Sequence, residues 1–187
     1  MYGLTDAGAS TVGLLLGAGE WQTAIKSGKV LLGMMGIMSS TVAILFVIFH
    51  SKIGMIFSND SDIIDLASSL SIILAISYIL LSITFACFGT LQGQGRPQIA
   101  AVSMFFGLWG LSVPCAAIFG KKMDKGLVGV WWGLVVGYTV MTLVMCIFVY
   151  KSDWEALSLA AMNRSEKKND GVKDLENKSR SVRRERS

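Results

Sequence analysis

The sequence predicts an all-α integral membrane protein with four transmembrane helices, on the strength of its composition and of where its charges fall. Of 187 residues, 52% are hydrophobic and 16% charged, with a mean hydropathy of +0.56, whereas soluble domains carry about 25% charged residues. The deficit is concentrated in four runs without Lys, Arg, Asp or Glu, at 30–49, 66–95, 97–120 and 126–150. The shortest has 20 residues, and about 20 apolar residues cross a hydrocarbon core of roughly 30 Å. A soluble globular fold, a disordered chain and a coiled coil are excluded by that arrangement.

Residues 1–29 are Gly-rich and mixed in polarity, and read as a cytoplasmic loop and helix entry ahead of the first span. The apolar stretch 7–19 has 13 residues, too few to cross. Because no basic segment opens the chain and Asp6 interrupts it early, no cleaved signal peptide is expected. The first span, about 30–50, ends at His50 and Lys52. A connector, Ile53 to Asp65, carries Asp60, Asp62 and Asp65, acids that suit the free N–H groups and positive dipole end of a following helix. The second span, about 63–91, fades into Gly89, Gly93 and Gly95. Pro97 fits the first turn of the third, about 97–119, and Pro114 inside it is expected to bend it. The loop Lys121–Gly126 leads to the fourth span, 126–150. Beyond it, 151–162 reads as an interfacial segment anchored by Trp154. The charged, Ser-rich stretch 163–187 is expected to be a disordered cytoplasmic tail.

Four crossings place the N-terminus, the Arg96 turn and the tail on one side. Seven basic residues near the spans lie there (Lys26, Lys29, Arg96, Lys151, Arg164, Lys167, Lys168) against four on the other (Lys52, Lys121, Lys122, Lys125). The bias predicts both termini in the cytoplasm. The net charge of +4 comes mostly from 151–187, which holds ten basic and seven acidic residues. Such a tail fits an anionic lipid leaflet, and no nucleic-acid partner is expected.

Cys87, Cys115 and Cys146 sit in three different spans with no CxxC spacing, so neither a disulfide framework nor a metal site is expected. The single histidine, the absence of GxSxG, HExxH or phosphate-loop patterns, and the absence of Asp, Glu, Lys and Arg from the span cores leave no basis for an enzyme or a cofactor. Small residues four apart (Gly13 and Gly17, Gly89 and Gly93, and Gly129, Gly133 and Gly137) predict close helix packing within the chain. One stripe at helical spacing remains: Leu74, Tyr78, Leu81, Phe85 and Phe88, with Ser77 and Thr84 beside it. Two readings stay open for it, a cavity wall on which an organic cation stacks, or helix and lipid contact.

Several segments, in order, resemble the MATE family (multidrug and toxin extrusion). They are Val12-Gly13-Leu14-Leu15-Leu16-Gly17-Ala18-Gly19, Ala24 to Val30, Ile56-Phe57-Ser58-Asn59-Asp60, Ile63-Ile64-Asp65-Leu66-Ala67, Leu91-Gln92-Gly93-Gln94-Gly95-Arg96, Pro114, Gly126 to Gly133, and Asp153-Trp154-Glu155. The likeness covers roughly 10–162. It implies the last four helices, part of the C-terminal lobe, of a twelve-helix antiporter, with the first eight helices as missing partners. The implied activity is export of small organic, often cationic, solutes in exchange for protons or sodium, across a plasma, vacuolar or other organellar membrane. The candidate cavity residues are then Tyr78, Leu81, Thr84, Phe85 and Phe88. Leu14 and Leu15 depart from the family's polar loop, Gln92 stands where Arg is common, and Leu81 stands where many eukaryotic members carry a glutamate. These four spans are therefore expected to be inactive alone. The alternative is a small four-helix scaffold or regulatory subunit without transport activity.

Overall fold

The structure is a computed structural model that describes residues 1–57, 60–122 and 126–185. Ser58 and Asn59 of the connector, and Asp124 and Lys125 of the last loop, lie outside the described residues. Among the described residues every element is a helix: α1 (Tyr2–Gly17), α2 (Trp21–Ile48), α3 (His50–Phe57), α4 (Ser61–Gly93), α5 (Pro97–Phe105), α6 (Val113–Ala117), α7 (Gly126–Tyr150) and α8 (Trp154–Glu185). Four stretches are long and apolar enough to cross a membrane: α2, α4, Pro97–Lys121 and α7.

The first spanning helix starts at Trp21, well before the charge-free run. Lysine is a good helix former, and its aliphatic stem lies along the helix while the ammonium reaches water, so Lys26 and Lys29 do not stop it. At 28 residues α2 is about 42 Å long, longer than a ~30 Å core. Its first turns, with both lysines, therefore extend toward the interface.

Residues 2–17 also differ from the expected loop. They form a 16-residue helix whose small residues lie against α4. A Cβ on Gly93 would sit 2.6 Å from the Ala9 carbonyl oxygen, and one on Gly89 would sit 2.8 Å from that of Thr5. Such close approach buries Thr5, Ala9, Val12 and Leu16 and outweighs the low helix propensity of glycine.

Both connections that follow a Gly-rich helix end use one device. Gly19 (φ 84°) and Gly95 (φ 73°) adopt the left-handed conformation. Glu20 N–H donates to Leu15 O at 2.9 Å and Arg96 N–H to Leu91 O at 3.0 Å, closing two Schellman motifs. At the start of α4, Asp60 Oδ1 accepts from Asp62 N–H at 3.1 Å, the cap the acidic connector predicts. His50, at the break between α2 and α3, lies 2.8 Å from Val47 O and 3.0 Å from the Ser51 hydroxyl.

The third span is not a helix with one bend. It widens into π-helix over Phe106–Ser112 and again over Ile118–Lys122, on either side of Pro114. Proline removes a helical donor and crowds the carbonyl one turn earlier. A wider turn relieves both, and Ser112 Oγ stitches it by donating to Gly107 O at 3.0 Å.

The tail departs from expectation as well. From Trp154 to Glu185 the chain is one continuous helix. Its composition cannot build a core, but Glu, Lys, Arg and Leu are good helix formers and no proline interrupts them. The first turns are packed, since Leu157 and Ser158 are buried and Ser158 Oγ donates to Leu16 O at 2.9 Å, satisfying a carbonyl at the end of α1.

Candidate functional site

Helix α4 lies at the centre, packed against α1, α2, α3 and α7, and carries all five predicted site residues. The structure distributes them over two packing surfaces. Phe85 is buried; its ring meets Tyr2 edge-on at 5.0 Å between centroids and packs with Leu31, Met35 and Ala86, with half-buried Leu81 alongside. Phe88 turns the other way and packs against the Cys87, Leu91, Ala100, Met141 and Met145 cluster. Thr84 is fully buried and its Oγ lies 2.6 Å from Thr142 Oγ on α7. Each hydroxyl also reaches a carbonyl of its own helix, Leu80 O at 3.0 Å and Tyr138 O at 2.7 Å. Tyr78, half-buried at the middle of α4, belongs to neither cluster.

Three polar residues that the sequence did not single out complete this framework. Thr142 closes the joint just described, and buried Ser82 of α4 meets buried Ser39 of α2 at 2.9 Å. Interhelical hydrogen bonds of this kind contribute about 0.6 kcal/mol on average. Their signal was present, as hydroxyls within apolar runs, but each such residue can equally bond its own helix. Cys87 and Cys146 also meet across α4 and α7 as free thiols 3.5 Å apart.

At the end of α4, Gln94 is buried with its Oε1 3.1 Å from Ser152 Oγ. The one Ser152 proton is better placed on Phe148 O, at 2.7 Å. The amide is therefore better turned to donate through Nε2 to Ser152. Gln94 then ties the second-to-third turn to the link between α7 and α8.

A polytopic helical membrane protein is thus defined, with a central helix held by hydroxyl joints and glycine contacts and with no Asp, Glu, Lys or Arg in its described span cores. The family model MatE matches residues 1–118, and the chain belongs to that family. Protein DETOXIFICATION 24 of Arabidopsis thaliana is 31% identical over 153 residues, 82% of this chain and 31% of that protein. Multidrug and toxin extrusion protein 1 of Xenopus tropicalis is 29% identical over 178 residues, 94% of this chain and 31% of that protein. The crystal structure of the eukaryotic MATE transporter AtDTX14 superposes with a TM-score of 0.79 at 24% identity, covering 86% of this chain and 36% of that one. The chain therefore spans about a third of the length of the curated relatives it matches.

Proposed function

We propose that these helices serve as the C-terminal portion of a cation-coupled exporter of organic solutes, driven by protons or sodium. The match of the MatE family over residues 1–118 carries the proposal, and relatives named for detoxification and for multidrug and toxin extrusion support its substrate class. Secondary transporters bind substrate near the bilayer midplane, and Tyr78 lies at the middle of α4. Among the stripe residues it is the aromatic ring left outside the two packed clusters. Tyr78 is assigned here as the substrate-facing ring, with Leu81 beside it. Phe85, Phe88 and Thr84 then hold α4 in place.

The test is a chimera carrying the first eight helices of a relative, with export measured under an imposed proton or sodium gradient. Tyr78→Ala is expected to weaken export of aromatic cations about two- to thirtyfold, the equivalent of ~0.5–2 kcal/mol of stacking. Unchanged export across several such substrates, at equal protein levels, would remove Tyr78 from the site.

The same reading puts both ends of the chain in the cytoplasm, on the seven-to-four excess of basic residues. A cysteine introduced at Ser61, which is exposed, is expected to react with an impermeant maleimide added outside cells. One at Ser179 should react only after permeabilisation. The reverse pattern would invert the topology.

A further inference from the structure

A cavity of about 320 Å³ opens between α2, α4, α7 and the start of α8, away from all five stripe residues. Ile25, Leu32, Ala86 and Val149 give it aliphatic walls, and Lys29, Tyr150 and Trp154 also line it. Lys29 and Tyr150 are exposed and Trp154 is half-buried, so these three form its outer edge. Gly28 makes the room: its missing side chain leaves the space beside Thr90 and Trp154, 3.6 and 3.9 Å from where a Cβ would stand.

The volume is large enough for several waters, but they would find few partners. The Thr90 hydroxyl already donates to Ala86 O at 2.9 Å, and the remaining wall is apolar. An apolar occupant suits the interior better. The edge asks for something else. Tyr150 and Trp154 mark a membrane–water interface, and Lys29 lies at the same end as Lys26 and Lys151. Lys29 makes no ion pair among the described residues, and a cation at that depth attracts anionic headgroups.

We propose that this cavity holds one acyl chain of an anionic phospholipid, with the headgroup phosphate against Lys29. The occupant follows from the combination of an apolar chamber, a lysine at its mouth and an aromatic edge. A free anion would leave the chamber empty, and a zwitterionic lipid would bring a cation of its own beside the phosphate and so weaken its attraction to the lysine.

Native mass spectrometry of the full chain released from micelles reads the bound species directly. Phosphatidylglycerol and phosphatidylcholine with identical acyl chains are the probes, and inorganic phosphate is the competitor. One phosphatidylglycerol per chain should be retained, about fivefold better than phosphatidylcholine, as one lysine near the surface implies. Lys29→Gln should abolish that preference. Gly28→Leu, which fills the chamber, should release both lipids, and Leu32→Trp, which plugs it from an exposed position, should do the same if Gly28→Leu fails to fold. Inorganic phosphate in excess should leave the lipid bound. Equal retention of the two lipids regardless of Lys29, retention of lipid by folded Gly28→Leu or Leu32→Trp, or displacement by phosphate would each overturn the proposal.

Discussion

Gly133→Ala is expected to abolish the folded protein, although it adds a single methyl group. A Cβ at Gly133 would overlap the backbone nitrogen and Cα of Ala116 and stand 2.6 Å from the Cys115 carbonyl carbon. Every one of those atoms is backbone on the third span, so no rotamer change relieves the overlap. The cost lies at or above the ~3 kcal/mol upper end of typical overpacking. One turn along, a Cβ at Gly137 would stand 2.7 Å from Ser112 Cβ and 2.9 Å from Gly107 O, so Gly137→Ala presses on the π-helical segment and is expected to fail likewise. Gly33→Ala and Gly36→Ala on α2 are the controls, since nothing lies within 4 Å of either. There alanine should be neutral or stabilising by up to about 1 kcal/mol. Size-exclusion chromatography in mild detergent separates the two classes: the α7 variants should lose the monodisperse peak and the α2 variants keep it. Equal peaks for all four would mean that α7 and the third span do not pack through these glycines.

That contrast shows what a sequence of this kind carries. The spans were legible because expelling charge from hydrocarbon leaves long uncharged runs, and the turns were legible because Gly95, Arg96 and Pro97 combine a left-handed residue with a helix start. Asp60 announced its cap through the same local chemistry. Gly133 was marked by its place in the series Gly129, Gly133 and Gly137, whereas Gly33 was not, but the sequence did not say which backbone Gly133 meets or how closely. The loop expected at 2–17 is a helix for a related reason, since its glycines and small residues meet Gly89 and Gly93 some 80 positions away. The stripe on α4 is divided between two packing surfaces, because spacing along a helix does not say which neighbour covers each residue. Tyr2 covers Phe85, while Ala100 and Met141 belong to the cluster that covers Phe88. Nor did composition foresee the helix through Glu185, because a lack of core-forming residues excludes a packed domain but not a helix. The Lys29 cavity escaped notice because its walls come from four elements, and Gly28 carries no local mark of the space it leaves.

Vesicles that contain only these 187 residues are expected to show no gradient-driven export above empty vesicles. Alternating access requires one bundle to rock against another around a site at their interface. The chain covers about a third of each relative, and its four spans pack on one another around α4. The surfaces left over are apolar: Ile37, Phe106, Trp109 and Ile147 stand exposed on the spans, suited to lipid or to further helices but not to a polar pathway. Coupling to protons also needs an ionisable group that exchanges between the two sides. The described span cores hold no Asp, Glu, Lys or Arg, and leucine occupies position 81. With no second bundle to rock against and no Asp, Glu, Lys or Arg in the described span cores, these helices alone are expected not to complete an exchange cycle. The measurement is efflux of a fluorescent organic cation under a proton gradient and, separately, a sodium gradient, beside the chimera that adds eight helices of a relative. Export by the chimera alone fits a portion that needs its other lobe. Gradient-dependent export by the 187 residues alone would mean that copies of this chain assemble a complete pathway from four helices each.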